Sequence, residues 1–310
     1  MVTTALLFAG QATQYVGMGK ALFETYPEAR VIFEEADDAL GERLSSIIFD
    51  GPADTLTLTA NTQPAVLTTA CAAWQVLHAR GFVPTVVAGH SLGEYGALVA
   101  AGALQFRHAV QLTRLRGQFM QAAVPEGVGA MAAIQRLTVE QISAICEMTD
   151  GLCVPAVYNA PKLTVVSGET AAVAAVSARC EAERGIVIPL SVSAPFHSPM
   201  LASAGEALRS ALADIPMAPI TIPYVCNVDA TWHETTTASA IKERLVQQVV
   251  APVKWSQSIE LMLSNGIERF WHLGPGRSNL GHVKRQARRA PMATMDNADD
   301  VAQILTELGG

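Results

Sequence analysis

The sequence has little of what marks metalloproteins, disulfide-bonded secreted domains and nucleic-acid binders. Its five cysteines include no C-x-x-C pair and its seven histidines form no H-E-x-x-H pattern, so we expect no metal site. An odd number of widely spaced cysteines is typical of buried thiols in a reducing compartment. The net charge of −7 disfavours binding to nucleic-acid phosphates or anionic membranes, except through a local basic patch.

Signals for secretion and membrane insertion are also absent from the sequence. The first apolar run has no basic region before it and is too short for a signal peptide. Residues 55–79 carry no charge, but polar residues interrupt this stretch, which predicts a core helix beginning near Pro64 instead of a membrane span. We therefore expect a cytoplasmic protein, monomeric by default, that contacts no membrane.

Strand-like apolar runs alternate with Ala- and Leu-rich helical patterns along much of the chain, and half of its residues are apolar. This order indicates a mostly parallel sheet covered by helices on both faces. Residues 126–193 instead have the order strand-helix-strand-strand-helix-strand of a ferredoxin-like unit. The sequence thus predicts an α/β protein with a large, α/β-hydrolase-like subdomain, residues 1–125 and 194–310, and an inserted ferredoxin-like subdomain, residues 126–193.

The pentapeptide Gly-His-Ser-Leu-Gly at 89–93 follows an apolar run and precedes a helix-like stretch. Strand, tight turn and helix is the setting of a nucleophile elbow, in which glycines let strand and helix pass closely and a strained turn exposes the serine hydroxyl. Ser91 is therefore the candidate nucleophile, and the N–H of Leu92 is a candidate oxyanion donor. The alternative is that Ser91 only caps the next helix.

A serine hydroxyl needs a base, and seven histidines compete for that role. His197 lies in a loop between Pro195 and Pro199, a rigid setting that suits a positioned imidazole. In an ordinary α/β-hydrolase esterase the base follows the last strand, which would favour His272 or His282. The residues alone leave these alternatives open.

Several separated motifs follow one another in a specific order. They are Gly-Gln-Ala-Thr-Gln at 10–14, Asn-Thr-Gln-Pro-Ala at 61–65, Gly-His-Ser-Leu-Gly-Glu-Tyr at 89–95, Arg-Gly at 116–117 followed by Met120, Ser-Ala-Pro-Phe-His-Ser at 193–198, Asn-Val-Asp at 227–229, Gln248 followed by Pro-Val at 252–253, and Gly-Pro-Gly at 274–276. With these motifs the chain resembles the malonyl-CoA:acyl carrier protein transacylase family over essentially its whole length.

The resemblance implies a Ser91–His197 dyad without a catalytic carboxylate, in which a main-chain carbonyl near Gln248 orients the histidine. It also implies that the backbone N–H groups of Gln11 and Leu92 form the oxyanion hole. The family loop is usually Gly-Gln-Gly-Ser-Gln, whereas this chain has Ala12 and Thr13. Because alanine disfavours a positive φ, we expect this loop to sit slightly differently.

The resemblance further implies the substrates and the residues that bind them. Arg116 would grip the free carboxylate of a malonyl group in a planar, bidentate pair, with Met120 one turn later and Gln248 nearby. Phe196 would crowd an α-methyl group and favour malonyl over methylmalonyl. The substrates would be malonyl-CoA and the phosphopantetheine thiol of an acyl carrier protein, with no bound cofactor. Without the resemblance, Arg116 could be an exposed helix arginine such as Arg114.

A basic segment stands out in a chain of negative charge. Arg277, Lys284 and Arg285 fall in a stretch without an acid, which could steer an acidic carrier protein or the phosphates of coenzyme A. A solvated helix face is the alternative.

Three other functions compete with the transacylase. An acyl hydrolase of the same fold would pass the acyl group to water, but Arg116 argues against it. An esterase would use a C-terminal histidine, and a docking subunit without chemistry would not need both dyad residues.

Overall fold

The computed structural model describes residues 2–309, which form two separate β-sheets. Its strands are β1 (Thr4–Phe8), β2 (Val86–Gly89), β3 (Gly129–Gln135), β4 (Cys153–Ala160), β5 (Leu163–Glu169), β6 (Ile186–Leu190), β7 (Tyr224–Val225), β8 (Trp232–His233), β9 (Arg269–Leu273) and β10 (Met292–Met295). Its helices are α1 (Lys20–Thr25), α2 (Pro27–Leu40), α3 (Leu44–Asp50), α4 (Ala53–Thr57), α5 (Thr59–His78), α6 (Gly93–Ala100), α7 (Phe106–Ala123), α8 (Val139–Glu147), α9 (Thr170–Ala182), α10 (Ala202–Leu212), α11 (Ala238–Val250), α12 (Trp255–Ser264), α13 (Ser278–Gln286) and α14 (Ala298–Gly309).

The larger sheet has the strand order β10-β9-β1-β2-β7-β8 and is parallel except for the β7–β8 pair. Strand β1 lies in the middle, and each of its residues is buried, as expected for a strand with helices on both faces. The predicted fold class, with a mostly parallel sheet flanked by helices, is confirmed.

The smaller sheet is antiparallel, with the order β4-β5-β3-β6, and its chain order is β3-α8-β4-β5-α9-β6. Helices α8 and α9 pack on it around a hydrophobic cluster of its own, which includes Ile134, Val166 and Val176. Strand β4 meets the larger unit through Val253, whose carbonyl accepts from the Tyr158 N–H at 2.9 Å. The subdomain boundaries at 126 and 193 stay a prediction.

The core helix α5 begins at Thr59, so the predicted start near Pro64 is wrong. Proline has no N–H to donate to the carbonyl of Ala60 one turn earlier, and this would leave a helix carbonyl without a partner. Arg114 of α7 replaces that donor, with its Nη1 2.9 Å from the Ala60 oxygen. A contact from a distant helix thus lets the proline lie inside α5. None of the helices within residues 2–309 combines the length and hydropathy that crossing a bilayer requires.

Candidate active site

Ser91 lies between β2 and α6 in a turn that only small neighbours permit. A Cβ on Gly89 would lie 1.9 Å from the Gly93 carbonyl carbon, and one on Gly93 would lie 2.4 Å from the Phe8 oxygen. Ser91 itself has a φ of 52°, a conformation that is costly for a residue with a side chain and is common at functional sites. The strand, the glycines and the strained serine together make the geometry of a nucleophile elbow.

His197 is hydrogen-bonded to Ser91, with 2.8 Å between Nε2 and the serine Oγ. Its Nδ1 lies 2.7 Å from the main-chain oxygen of Gln248, which can only accept, so Nδ1 carries the proton and Nε2 is the free base. Burial, with a smaller contribution from the Arg116 charge, lowers the pKa of His197 to about 3. The imidazole is therefore neutral near pH 7 and able to take the serine proton.

The two histidines that an esterase would use are not bonded to Ser91. His272 is fully buried in β9, and its Nε2 lies 3.2 Å from the Pro275 oxygen. His282 of α13 lines the cavity above Ser91, but makes no hydrogen bond to it. Among the histidines of residues 2–309, only His197 is hydrogen-bonded to Ser91 Oγ.

Arg116 is 1% exposed, so it is not the exposed helix arginine that the sequence left open. Its Nη2 lies 3.1 Å from Ser91 Oγ and 3.0 Å from Gln248 Oε1, and its Nη1 lies 2.7 Å from Gln63 Oε1. It forms no ion pair with any acid in residues 2–309. A buried guanidinium without a counter-ion is able to bind an anionic group beside the nucleophile.

Two further polar residues hold the site together, and sequence reasoning assigned no role to either. Asn227 Oδ1 accepts from the Ser91 N–H at 2.7 Å, and its Nδ2 donates to the Gly89 oxygen at 2.8 Å. Gln63 orients Arg116 from the opposite side and donates to Met120 Sδ at 3.6 Å. The only sequence signal that points to Gln63 and Asn227 is that they lie in the motifs at 61–65 and 227–229.

Gln248 lies between two buried charged groups. Its Oε1 faces Arg116, and its Nε2 donates to Glu94 Oε2 at 2.6 Å and to the Ser91 oxygen at 3.0 Å. Burial raises the pKa of Glu94 to about 7, although the hydrogen bonds that it accepts act in the opposite direction. Sequence reasoning named Gln248 but did not single out Glu94.

The N–H groups of Gln11 and Leu92 donate to no acceptor in the part of the chain that the structure describes. Both are thus free to receive an oxyanion. The neighbouring Ala12 has a φ of 70°, so alanine adopts here the positive φ that its side chain disfavours. The expected shift of the loop stays a prediction. Two contacts support the loop: Thr13 Oγ1 donates to the Gly10 oxygen at 2.8 Å, and Gln11 Nε2 donates to Thr59 Oγ1 at 3.1 Å.

The nucleophile opens into a cavity of about 530 Å³ that both units line. The larger unit contributes Gln11, Ser91, Arg116 and His197, and the smaller unit contributes apolar side chains of β3 to β6. Phe196 also lines this cavity. Met120 is fully buried behind Gln63 and does not line it.

The basic segment lies beside the cavity. Helix α13 places Ser278 and His282 in the cavity wall, while Arg277, Lys284 and Arg285 are exposed on and next to the same helix. None of these three cations forms an ion pair within residues 2–309. They are therefore free to attract an anion near the cavity.

Comparison with known proteins gives one consistent result. Residues 5–275 match the family of the acyl transferase domain. The chain is 40% identical over 312 residues to a malonyl CoA-acyl carrier protein transacylase of Bacillus subtilis (strain 168), with 99% of this chain and 98% of that protein covered. It is 39% identical over 311 residues to the transacylase of the same name from Salmonella typhimurium, covering 99% and 100%.

Solved structures agree with these relatives. The malonyl CoA-acyl carrier protein transacylase of Coxiella burnetii superposes with a TM-score of 0.96 at 35% identity, covering 100% of this chain and 98% of that one. A malonyl-transacylase solved in complex with its type II PKS acyl carrier protein has a TM-score of 0.95 at 35% identity, covering 98% and 99%.

Proposed function

This chain belongs to the acyl transferase domain family, as a relative of the malonyl CoA-acyl carrier protein transacylases, and we propose that it transfers a malonyl group through an ester on Ser91. The donor is malonyl-CoA, and the acceptor is the phosphopantetheine thiol of an acyl carrier protein. The choice of malonyl rests on Arg116, a buried cation that has no acidic partner. Its Nη2 lies 3.1 Å from Ser91 Oγ.

In the first half-reaction Ser91 Oγ attacks the thioester carbonyl, and its proton passes to His197 Nε2. The Oγ–C bond forms while negative charge collects on the former carbonyl oxygen, where the N–H groups of Gln11 and Leu92 receive it. Collapse of this intermediate breaks the C–S bond. His197 then returns the proton to the departing sulfur, which leaves coenzyme A as the free thiol and the malonyl group on Ser91.

The second half-reaction runs the same steps with a new thiol. The phosphopantetheine sulfur gives its proton to His197 and attacks the ester carbonyl, and Ser91 Oγ leaves with the proton. Arg116 holds the malonyl carboxylate in both halves. Phe196 in the cavity wall adds bulk that favours malonyl over a branched donor.

Contacts outside the reacting atoms support this scheme. Gln248 holds His197 through its main-chain oxygen and contacts Arg116 through its side chain, so one residue positions both the base and the carboxylate binder. The exposed cations Arg277, Lys284 and Arg285 lie beside the entrance, where they would attract an acidic carrier protein or the phosphates of coenzyme A. Neither half-reaction calls for a resident cofactor. The cytoplasmic location and the monomeric state stay predictions.

The competing reaction is hydrolysis, in which water takes the place of the second thiol. To separate the two, the protein is loaded with malonyl-CoA, freed of excess donor, and incubated with buffer or with a phosphopantetheine-bearing carrier protein. We expect the ester to persist in buffer and to be lost to the thiol. Equal rates of loss in both samples, with free malonate as the product, would identify a hydrolase.

A further inference from the structure

Glu94 is 1% exposed, and no other Asp or Glu among residues 2–309 is buried to this extent. It is the second residue of α6, directly behind the nucleophile turn. The reaction scheme above gives it no role. Because a buried carboxylate is costly unless hydrogen bonds satisfy it, its contacts indicate what keeps it there.

Those contacts lead to both members of the dyad. Glu94 Oε2 accepts from Gln248 Nε2 at 2.6 Å and from the Asn227 N–H at 3.3 Å. Gln248 in turn supplies the main-chain oxygen that fixes the His197 tautomer, and Asn227 receives the Ser91 N–H. Glu94 is therefore hydrogen-bonded to Gln248 and to Asn227, and each of these two residues is hydrogen-bonded to one member of the dyad.

The Gln248 amide has a positive group at one end and a negative group at the other. Its oxygen faces Arg116 and its nitrogen faces Glu94. If the amide were turned over, NH₂ would face the guanidinium and the carbonyl would face the carboxylate, which are two repulsive contacts in a dry site. Protonation of Glu94 removes one of these two penalties and replaces a charge-assisted hydrogen bond by a weaker one.

We propose that Glu94, as the carboxylate, is a positioning residue that holds Gln248 in the orientation required by Arg116 and His197. This inference rests on the proposed function, because its readout is the acylation of Ser91. Glu94 touches neither the substrate nor the reacting atoms.

The groups around Glu94 leave it as the member of this network whose charge changes near neutral pH. Burial, together with the charge of Asp229, raises the pKa of Glu94 to about 7. Arg116 faces it from α7 and remains a cation. The other ionisable neighbours, Tyr95 on α6, Tyr224 on β7 and Cys226 after it, have pKa values raised by burial and stay neutral.

The active form is the anion, so acylation should slow as the pH falls through about 7. Burial lowers the pKa of His197, which moves its titration away from neutral pH. The Glu94→Gln variant tells the two groups apart, because a decline caused by Glu94 disappears in it and a decline caused by His197 persists.

The test is single-turnover acylation by malonyl-CoA between pH 5.5 and 8.5, quenched and followed by the mass of the intact protein. The variants are Glu94→Gln, which keeps the shape and removes the charge, and Glu243→Gln, the same change at an exposed carboxylate on the helix that carries Gln248. We expect the parent and Glu243→Gln to lose rate below pH 7. Glu94→Gln should be independent of pH and about 10-fold slower than the parent at pH 8, the difference between a charge-assisted and a neutral hydrogen bond.

A decline near pH 7 that persists in Glu94→Gln, or a Glu94→Gln rate equal to that of the parent at pH 8, would overturn the proposal and leave the transacylase function intact. Failure of the parent to form a malonyl ester at pH 8 would overturn the function and with it this inference. Infrared difference spectra of the parent give a check that does not depend on activity or on the folding of a variant. They should show the carbonyl band of a buried carboxylic acid disappearing as the pH rises through 7, and its absence would also contradict the proposal.

Discussion

Replacing Arg116 by alanine should convert the protein from a malonyl-selective to a nonselective acylation catalyst. The guanidinium is buried, is held by Gln63 and Gln248, and has no acidic partner, so under the proposed function a bound malonyl carboxylate would supply its missing counter-ion. Removing one partner of a buried, hydrogen-bonded charge pair costs about 3–5 kcal/mol, which is roughly 150- to 5,000-fold in rate. An acetyl group has no carboxylate, so its transfer should not fall by a comparable factor.

The assay compares the rates at which Ser91 is acylated by malonyl-CoA and by acetyl-CoA. The Arg116→Ala variant should lower the malonyl-to-acetyl ratio by about 100-fold or more. Arg116→Lys keeps the charge but not the planar fork, and should recover only part of the ratio. Arg107→Ala, an exposed arginine at the start of the same helix, is the matched control. An unchanged ratio in Arg116→Ala, or an equal loss with both donors, would refute the assignment of Arg116 to the carboxylate.

Other changes test the base, the elbow and the oxyanion loop. His197→Ala should slow acylation by at least about 10²-fold, whereas folded His272→Ala should acylate at the parent rate, and the reverse pattern would favour an esterase. Gly89→Ala should lose about 3 kcal/mol or more of unfolding free energy in thermal melts, since its Cβ would lie 1.9 Å from Gly93. Gly281→Ala on α13 is the control, because its Cβ would meet nothing within 4 Å, and it should gain about 0.5–1 kcal/mol of unfolding free energy. Equal changes in the two glycine variants would contradict the packing argument. Ala12→Gly removes the side chain that makes a φ of 70° costly, so it should raise the unfolding free energy measured in urea by up to about 1 kcal/mol. Acylation should be retained. A decrease in the unfolding free energy would show that Ala12 is not strained.

The features that the sequence predicts well are local ones. A nucleophile elbow is specified by consecutive residues, and alternating strand and helix patterns specify the parallel sheet, so the turn around Ser91 and the fold class follow from short stretches. The ferredoxin-like order of the smaller unit is readable for the same reason. Arg116 and His197 could be named because the family resemblance singles out their motifs.

The features that the sequence does not reveal are contacts between distant residues. Asn227 is 136 residues from Ser91 in sequence and reaches it only because β7 pairs with β2 in the sheet. Glu94 on α6 likewise meets Gln248 on α11 only in the folded chain. The predicted start of α5 is wrong for the same reason. The N–H that Pro64 lacks is replaced by a donor of Arg114, which lies on another helix. At Ala12, supporting contacts hold an alanine at the positive φ that propensity disfavours.

The central claim is that Ser91 carries the malonyl group, and intact-protein mass spectrometry after brief incubation with malonyl-CoA tests it most directly. The parent should gain the mass of one malonyl group, peptide mapping should place it on Ser91, and Ser91→Ala should gain nothing. A parent that gains no mass, or a Ser91→Ala variant that is still acylated, would contradict the account.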